Sequence, residues 1–174
     1  MNKELWEGRS LHGIEHVTEL FENSVLGAFM SGHLVIESIL VQMLESNSTD
    51  ADNGRYFEWS FRRKVDASEN RGIITQNTAE FLRGVNNIRN RLSHKLGTPI
   101  TFDEAFKLAG LAAAGGIDFS DSTIYLDKSR SFHEYSIEGV IQEVFQNAAQ
   151  DLLYLLDDES FLENFVSVRN SKRV

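Results

Sequence analysis

Pro99 is the single proline among 174 residues. Proline removes a helix hydrogen bond and clashes with the preceding turn, so a chain that almost lacks it is free to run in long helices. The apolar residues recur at helical spacing to match. In 136–156, Ile137, Val140, Ile141, Val144, Ala148, Leu152 and Leu155 repeat at three and four residues, which gives a helix one apolar face. The same reasoning predicts helices over 11–26 and 26–44, which can run on into one another, over 56–67 and over 75–95. Gly97 and Pro99 stop the last of these, and Glu69-Asn70-Arg71-Gly72 closes the one before it. A fifth helix begins after Thr101, with Glu104 three residues on in the capping-box pattern.

Between the helices, 47–54 is rich in turn residues and reads as a loop. The glycines, serines and Thr123-Ile124-Tyr125-Leu126 of 115–133 suggest an irregular loop or short hairpin. Residues 161–168 add a final turn or two, and 169–174 form a basic, frayed tail. The expectation is an all-α, antiparallel helical bundle forming a single domain over 1–174, with its core in about 15–156.

The chain has no cysteine, which excludes a disulfide framework and a thiolate metal site and suits a reducing, cytoplasmic setting. Met1 to Glu7 carries acids and no apolar run, unlike a signal peptide. The most apolar region, 26–44, is interrupted by His33, Glu37 and Gln42. It therefore reads as a buried core helix, with no membrane partner. The formal net charge of −9 gives no overall attraction for nucleic acid, so any such contact must use a local basic patch or a groove between two subunits.

The helix over 75–95 carries the most informative pattern. At about 100° per residue, Phe81, Leu82, Val85, Ile88, Leu92 and Leu96 fall on an arc of roughly 120°. Arg83, Asn86, Asn87, Asn90 and His94 lie opposite. They form a stripe of hydrogen-bonding groups rather than the Lys/Glu mixture of an ordinary solvated face. Each asparagine costs a few tenths of a kcal/mol of helix propensity relative to alanine. Arg89 falls inside the apolar arc, where a guanidinium must either be paired or snorkel to the surface. On the helix over 26–44, His33 and Glu37 lie four residues apart within the apolar arc. Glu37 there needs a cation, and the expectation is a Glu37–Arg89 contact that holds the guanidinium.

The string Ile88-Arg89-Asn90-Arg91-Leu92-Ser93-His94 resembles the signature of the HEPN superfamily: an arginine, a polar residue that is often asparagine, then a histidine near the end of a helix in a small helical bundle. The order of elements is also similar. The stretch 81–105 looks most like the mannitol-repressor-like branch of that superfamily. The resemblance spans about 15–155 in layout but only some seven residues in motif, and it does not place 115–133.

The resemblance implies a metal-independent endoribonuclease that needs no cofactor and works as a homodimer. His94 would act as general acid or base, because imidazole titrates near neutral pH. Arg89 would neutralise charge developing on the phosphorane. Asn90 would orient His94 or contact phosphate, His33 and Glu37 would support the site, and Arg91 and Lys95 would bind RNA. Cleavage would leave a 2′,3′-cyclic phosphate. An RNA-cutting chain of this kind implies a toxin or defence role, with an antitoxin or regulatory protein as partner.

Other chemistries find less in the sequence. His12 and His16 have zinc-ligand spacing but lack a third ligand. No Gly-x-Ser-x-Gly turn occurs, and no Lys-Ser/Thr follows Gly110 to Gly116 as a phosphate loop requires. The principal rival is a non-catalytic interaction protein or transcriptional regulator, in which Arg89 and His94 are structural.

Overall fold

The computed structural model describes residues 22–48, 54–94 and 98–156. The first helix, α1, spans Ser24–Ser46 and starts where Asn23 Oδ1 accepts from the Leu26 amide at 2.8 Å. That cap satisfies one of the amides that a helix start leaves unbonded. Phe29, His33, Ile36, Leu40, Met43 and Leu44 recur at three and four residues and are buried. Fully burying side chains such as Phe29 or Leu40 contributes about 1.5–3 kcal/mol each.

A 3₁₀ turn at Tyr56–Glu58 leads into α2, Phe61–Asn70, capped by the Ser60 hydroxyl and buried along Phe61, Lys64, Val65 and Ser68. Gly72, at φ 70, turns the chain in a region that side chains disfavour. Helix α3 spans Gln76–His94, with Thr75 Oγ1 accepting from the Thr78 amide at 3.1 Å. Helix α4, Phe102–Ala114, opens with the expected capping box between Thr101 and Glu104. A short α5, Thr123–Leu126, is followed by α6, Lys128–Tyr154.

Pairs of contacting residues give the helix directions. Phe61 stacks on His33 and Lys64 meets Glu37, so α2 runs in the same sense as α1. Arg83 bonds Asp66 and Glu69, setting α3 against α2. Arg91 meets Glu104 at one end and Thr78 bonds the Gly115 carbonyl at the other, setting α4 against α3. Helix α6 lies along α1: Ser24 bonds Glu138, and Phe145 packs edge-on to Phe29 at 5.3 Å. Gly32 makes this approach possible, because a Cβ there would collide with the Phe145 ring. The result is an all-α bundle with one continuous core, antiparallel through α2, α3 and α4.

Several sequence expectations are refined. The part of the first expected helix before residue 22 lies outside the described residues, as do the final turn at 161–168 and the tail. In 115–133 the described chain forms no strand. Asp121 accepts from the Thr123 amide at 2.9 Å and turns Thr123–Leu126 into a helical turn that buries Ile124. The β-branched run that suggested a hairpin is thus held by its preceding acid. The last helix also begins earlier than expected, at Lys128, where Asp127 caps it. The expected start survives as a break, since Ser136 sits at φ 58, ψ −176 inside α6.

By length and composition alone, α1 would suffice to cross a membrane. Here its Phe29, Ile36 and Leu40 face belongs to the core shared with the other helices.

Candidate functional site at the end of α3

The last two turns of α3 carry Arg89, Asn90 and His94. Arg89 and His94 are exposed and Asn90 is half-buried. Arg89 Nη1 lies 3.4 Å from Asn90 Oδ1, at the long limit of a hydrogen bond. Asn90 and His94 lie one turn apart on one face. Arg89 and His94, five residues apart, lie about 140° apart around the helix. Arg89 makes no ion pair among the described residues, whereas Arg55, Arg62, Arg83, Arg91 and Arg130 each have a carboxylate partner.

The helical pattern sets Arg89 in the apolar arc, to be either paired or carried to the surface, and the structure has it exposed. The reason lies in the neighbouring helix. Arg83 is opposite Asp66, so six residues further along the antiparallel α3 comes level with Ser60, where α2 begins. The apolar arc of α3 runs past the end of its partner at this point, and the guanidinium reaches solvent along its aliphatic stem.

The expected Glu37–Arg89 contact is not formed. Glu37 Oε1 instead accepts from Lys64 Nζ at 2.6 Å. Lys64 is 2% exposed and also reaches the Phe57 carbonyl at 3.5 Å. Sequence reasoning missed this lysine, although a signal was there: Lys64 lies on the buried stripe of α2, in register with Phe61 and Ser68. A buried ammonium needs a carboxylate more than an exposed guanidinium does, so Glu37 goes to Lys64.

His33 is 3% exposed and stacks on Phe61, with ring centroids 4.5 Å apart. Its Nδ1 is 4.0 Å from Glu37, and neither ring nitrogen has a hydrogen-bond partner among the described residues. Burial pushes its pKa below the ordinary histidine value. Glu37 opposes that shift, while Arg89 and Lys64 add to it. His33 is therefore a neutral ring within electrostatic reach of Arg89.

The expected RNA contacts are placed as follows. Arg91 is tied to α4, bonding Glu104 at 2.7 Å and the Pro99 carbonyl at 3.2 Å, so its guanidinium joins helices in this structure. Lys95 lies outside the described residues, as do His12 and His16. Among the described residues, no three His, Asp or Glu side chains gather as a metal site. No family model, curated protein or solved structure matches the chain.

Proposed function

We propose that the chain is a metal-independent endoribonuclease of the HEPN type, in which Arg89, Asn90 and His94 of two copies form one cleft. The observation that carries this reading is the exposure of both Arg89 and His94 on consecutive turns of α3, with Arg89 unclaimed by any carboxylate among the described residues. A guanidinium in that condition is available to a phosphate.

In the reaction, His94 takes the proton from a ribose 2′-hydroxyl and the 2′-oxygen attacks the adjacent phosphorus. Arg89 stabilises the charge gathering on the phosphoryl oxygens. The bond to the 5′-oxygen breaks, that oxygen takes a proton from the imidazolium of the other copy's His94, and a 2′,3′-cyclic phosphate remains. The angular separation of Arg89 and His94 on one helix favours a second α3 opposite, which completes the constellation around a twofold axis. Doubling Arg89 also concentrates positive charge locally on a chain of net charge −9. The setting is cytoplasmic, and the role that of a toxin or defence effector held in check by a protein partner.

A second reading, a non-catalytic regulator, has its own support. Leu34 is 60% exposed and Phe57 67% exposed, which suits a protein partner. Incubation with single-stranded RNA in EDTA separates the two. The nuclease reading expects wild-type cleavage and a loss of about 100-fold or more in Arg89→Ala and in His94→Ala. Cleavage that requires magnesium, or that survives both substitutions, contradicts it.

A further inference from the structure

We propose that the cleft on the outer side of α2, lined by Trp59, Ser60, Arg62, Arg63, Asp66 and Asn70 among others, takes one nucleotide of a single-stranded RNA beside the Arg89 site, its base stacked on the Arg63–Trp59 pair and its phosphate on Arg62. The proposal rests on the ribonuclease reading and names where the substrate strand lies.

The first support is the platform itself. The Arg63 guanidinium lies 3.8 Å from the centre of the Trp59 ring. The indole is braced edge-on by Tyr56 at 4.9 Å, and Tyr56 is 1% exposed, so the platform is anchored in the core. Guanidinium planes and aromatic rings both stack nucleobases, and they do so whatever the base, because every base has a π-face.

The second support is position. Trp59 and Ser60 immediately precede α2, and the Arg83–Asp66 pairing sets that end of α2 level with Arg89 and Asn90. A strand crossing the end of α3 therefore meets the platform next.

The third support is charge. Asp66 and Glu69 are both bonded by Arg83, and Arg62 stands 3.7 Å from Asp66. In the cleft lining Arg62 and Arg63 stand against the one carboxylate of Asp66, and the Arg55–Glu58 pair beside Trp59 is balanced, which leaves the cleft cationic on a strongly acidic chain. An acidic peptide would use the charge but not the stack, which is why RNA is the better fit.

The test uses the full chain carrying Trp6→Phe, which leaves Trp59 as the reporter, and a ten-residue 2′-O-methyl oligouridylate in EDTA, which cannot be cleaved through its 2′-oxygen. The expected result is saturable quenching of Trp59 fluorescence. Arg62→Gln and Arg63→Gln should each weaken binding roughly 3–10-fold. Arg62→Gln, which removes the phosphate contact, should also flatten the slope of log affinity against log salt by about 0.7. Arg62 is 68% exposed, so its variant should keep the wild-type circular dichroism and isolates charge from folding. No quenching, unchanged affinity and slope in both variants, or equal quenching by a polyglutamate decamer would overturn the proposal. RNA cleavage that persists undiminished in both variants would overturn this subsite while leaving the Arg89 site standing. Trp59 quenching by the oligonucleotide with no cleavage of ordinary RNA would keep the subsite and remove the nuclease reading.

Discussion

Lys64 Nζ lies 2.6 Å from Glu37 Oε1, joining α2 to α1 through a lysine with almost no exposed surface. Removing the carboxylate leaves the ammonium buried with, among the described residues, only the distant Phe57 carbonyl. Glu37→Ala should therefore cost roughly 2–4 kcal/mol of unfolding free energy, a little below the range for a fully buried pair because Glu37 keeps some solvent contact. Replacing both partners with methionine should recover most of that loss. Denaturant unfolding of the three variants checks it, and a double variant as unstable as Glu37→Ala would contradict the assignment.

His33 makes a pH prediction whose sign follows from burial. Its folded pKa lies below the ordinary value of 6.5, because burial disfavours the imidazolium and Lys64 and Arg89 repel it, against the opposing pull of Glu37. As pH falls through 6.5 the unfolded chain binds this proton while the folded chain does not. The stability contribution is thus complete above 6.5 and is lost toward the lowered folded value. The thermal midpoint of the wild type should fall more between pH 7.5 and 5.5 than that of His33→Gln. Parallel pH dependences in the two proteins would refute this.

Ser136 occupies φ 58, ψ −176 within α6, a region that glycine tolerates and serine does not. Ser136→Gly should stabilise the protein by about 1 kcal/mol, raising the thermal midpoint by about 2–4 °C. On either side of the break, Tyr135 donates to Asp121 at 2.7 Å and the Ser24 hydroxyl donates to Glu138. The hydrogen bond to Asp121 pushes the Tyr135 pKa up to about 12, so the phenol stays protonated at neutral pH. These two bonds hold the two halves of α6 at the bend, and the glycine variant should keep the wild-type circular dichroism.

What was legible in the sequence was local. The Thr101–Glu104 capping box is written in two side chains three residues apart, and it forms as read. The apolar stripes of α1, α3 and α6 follow from periodicity alone. What a helical wheel does not contain is where the neighbouring helix starts. The wheel sets Arg89 in the apolar arc of α3 and leaves pairing and exposure both open; α2 begins level with it, and it stands in solvent. The same gap hid the Glu37 partner, because choosing between Lys64 and Arg89 requires knowing which cation is buried. Residues 123–126 misled for a different reason: their β-branched composition favours a strand, but the Asp121 side chain caps the first amide and starts a helical turn.

The most direct test of the central claim is the chemistry of the cut ends. Single-stranded RNA incubated with the wild-type protein in EDTA should yield fragments ending in 2′,3′-cyclic phosphate, paired with 5′-hydroxyl ends. Both should vanish in Arg89→Ala and His94→Ala variants that keep the wild-type thermal midpoint. Fragments with 3′-hydroxyl ends formed only when magnesium is supplied, or cyclic phosphate ends produced equally by the His94→Ala protein, would contradict the account.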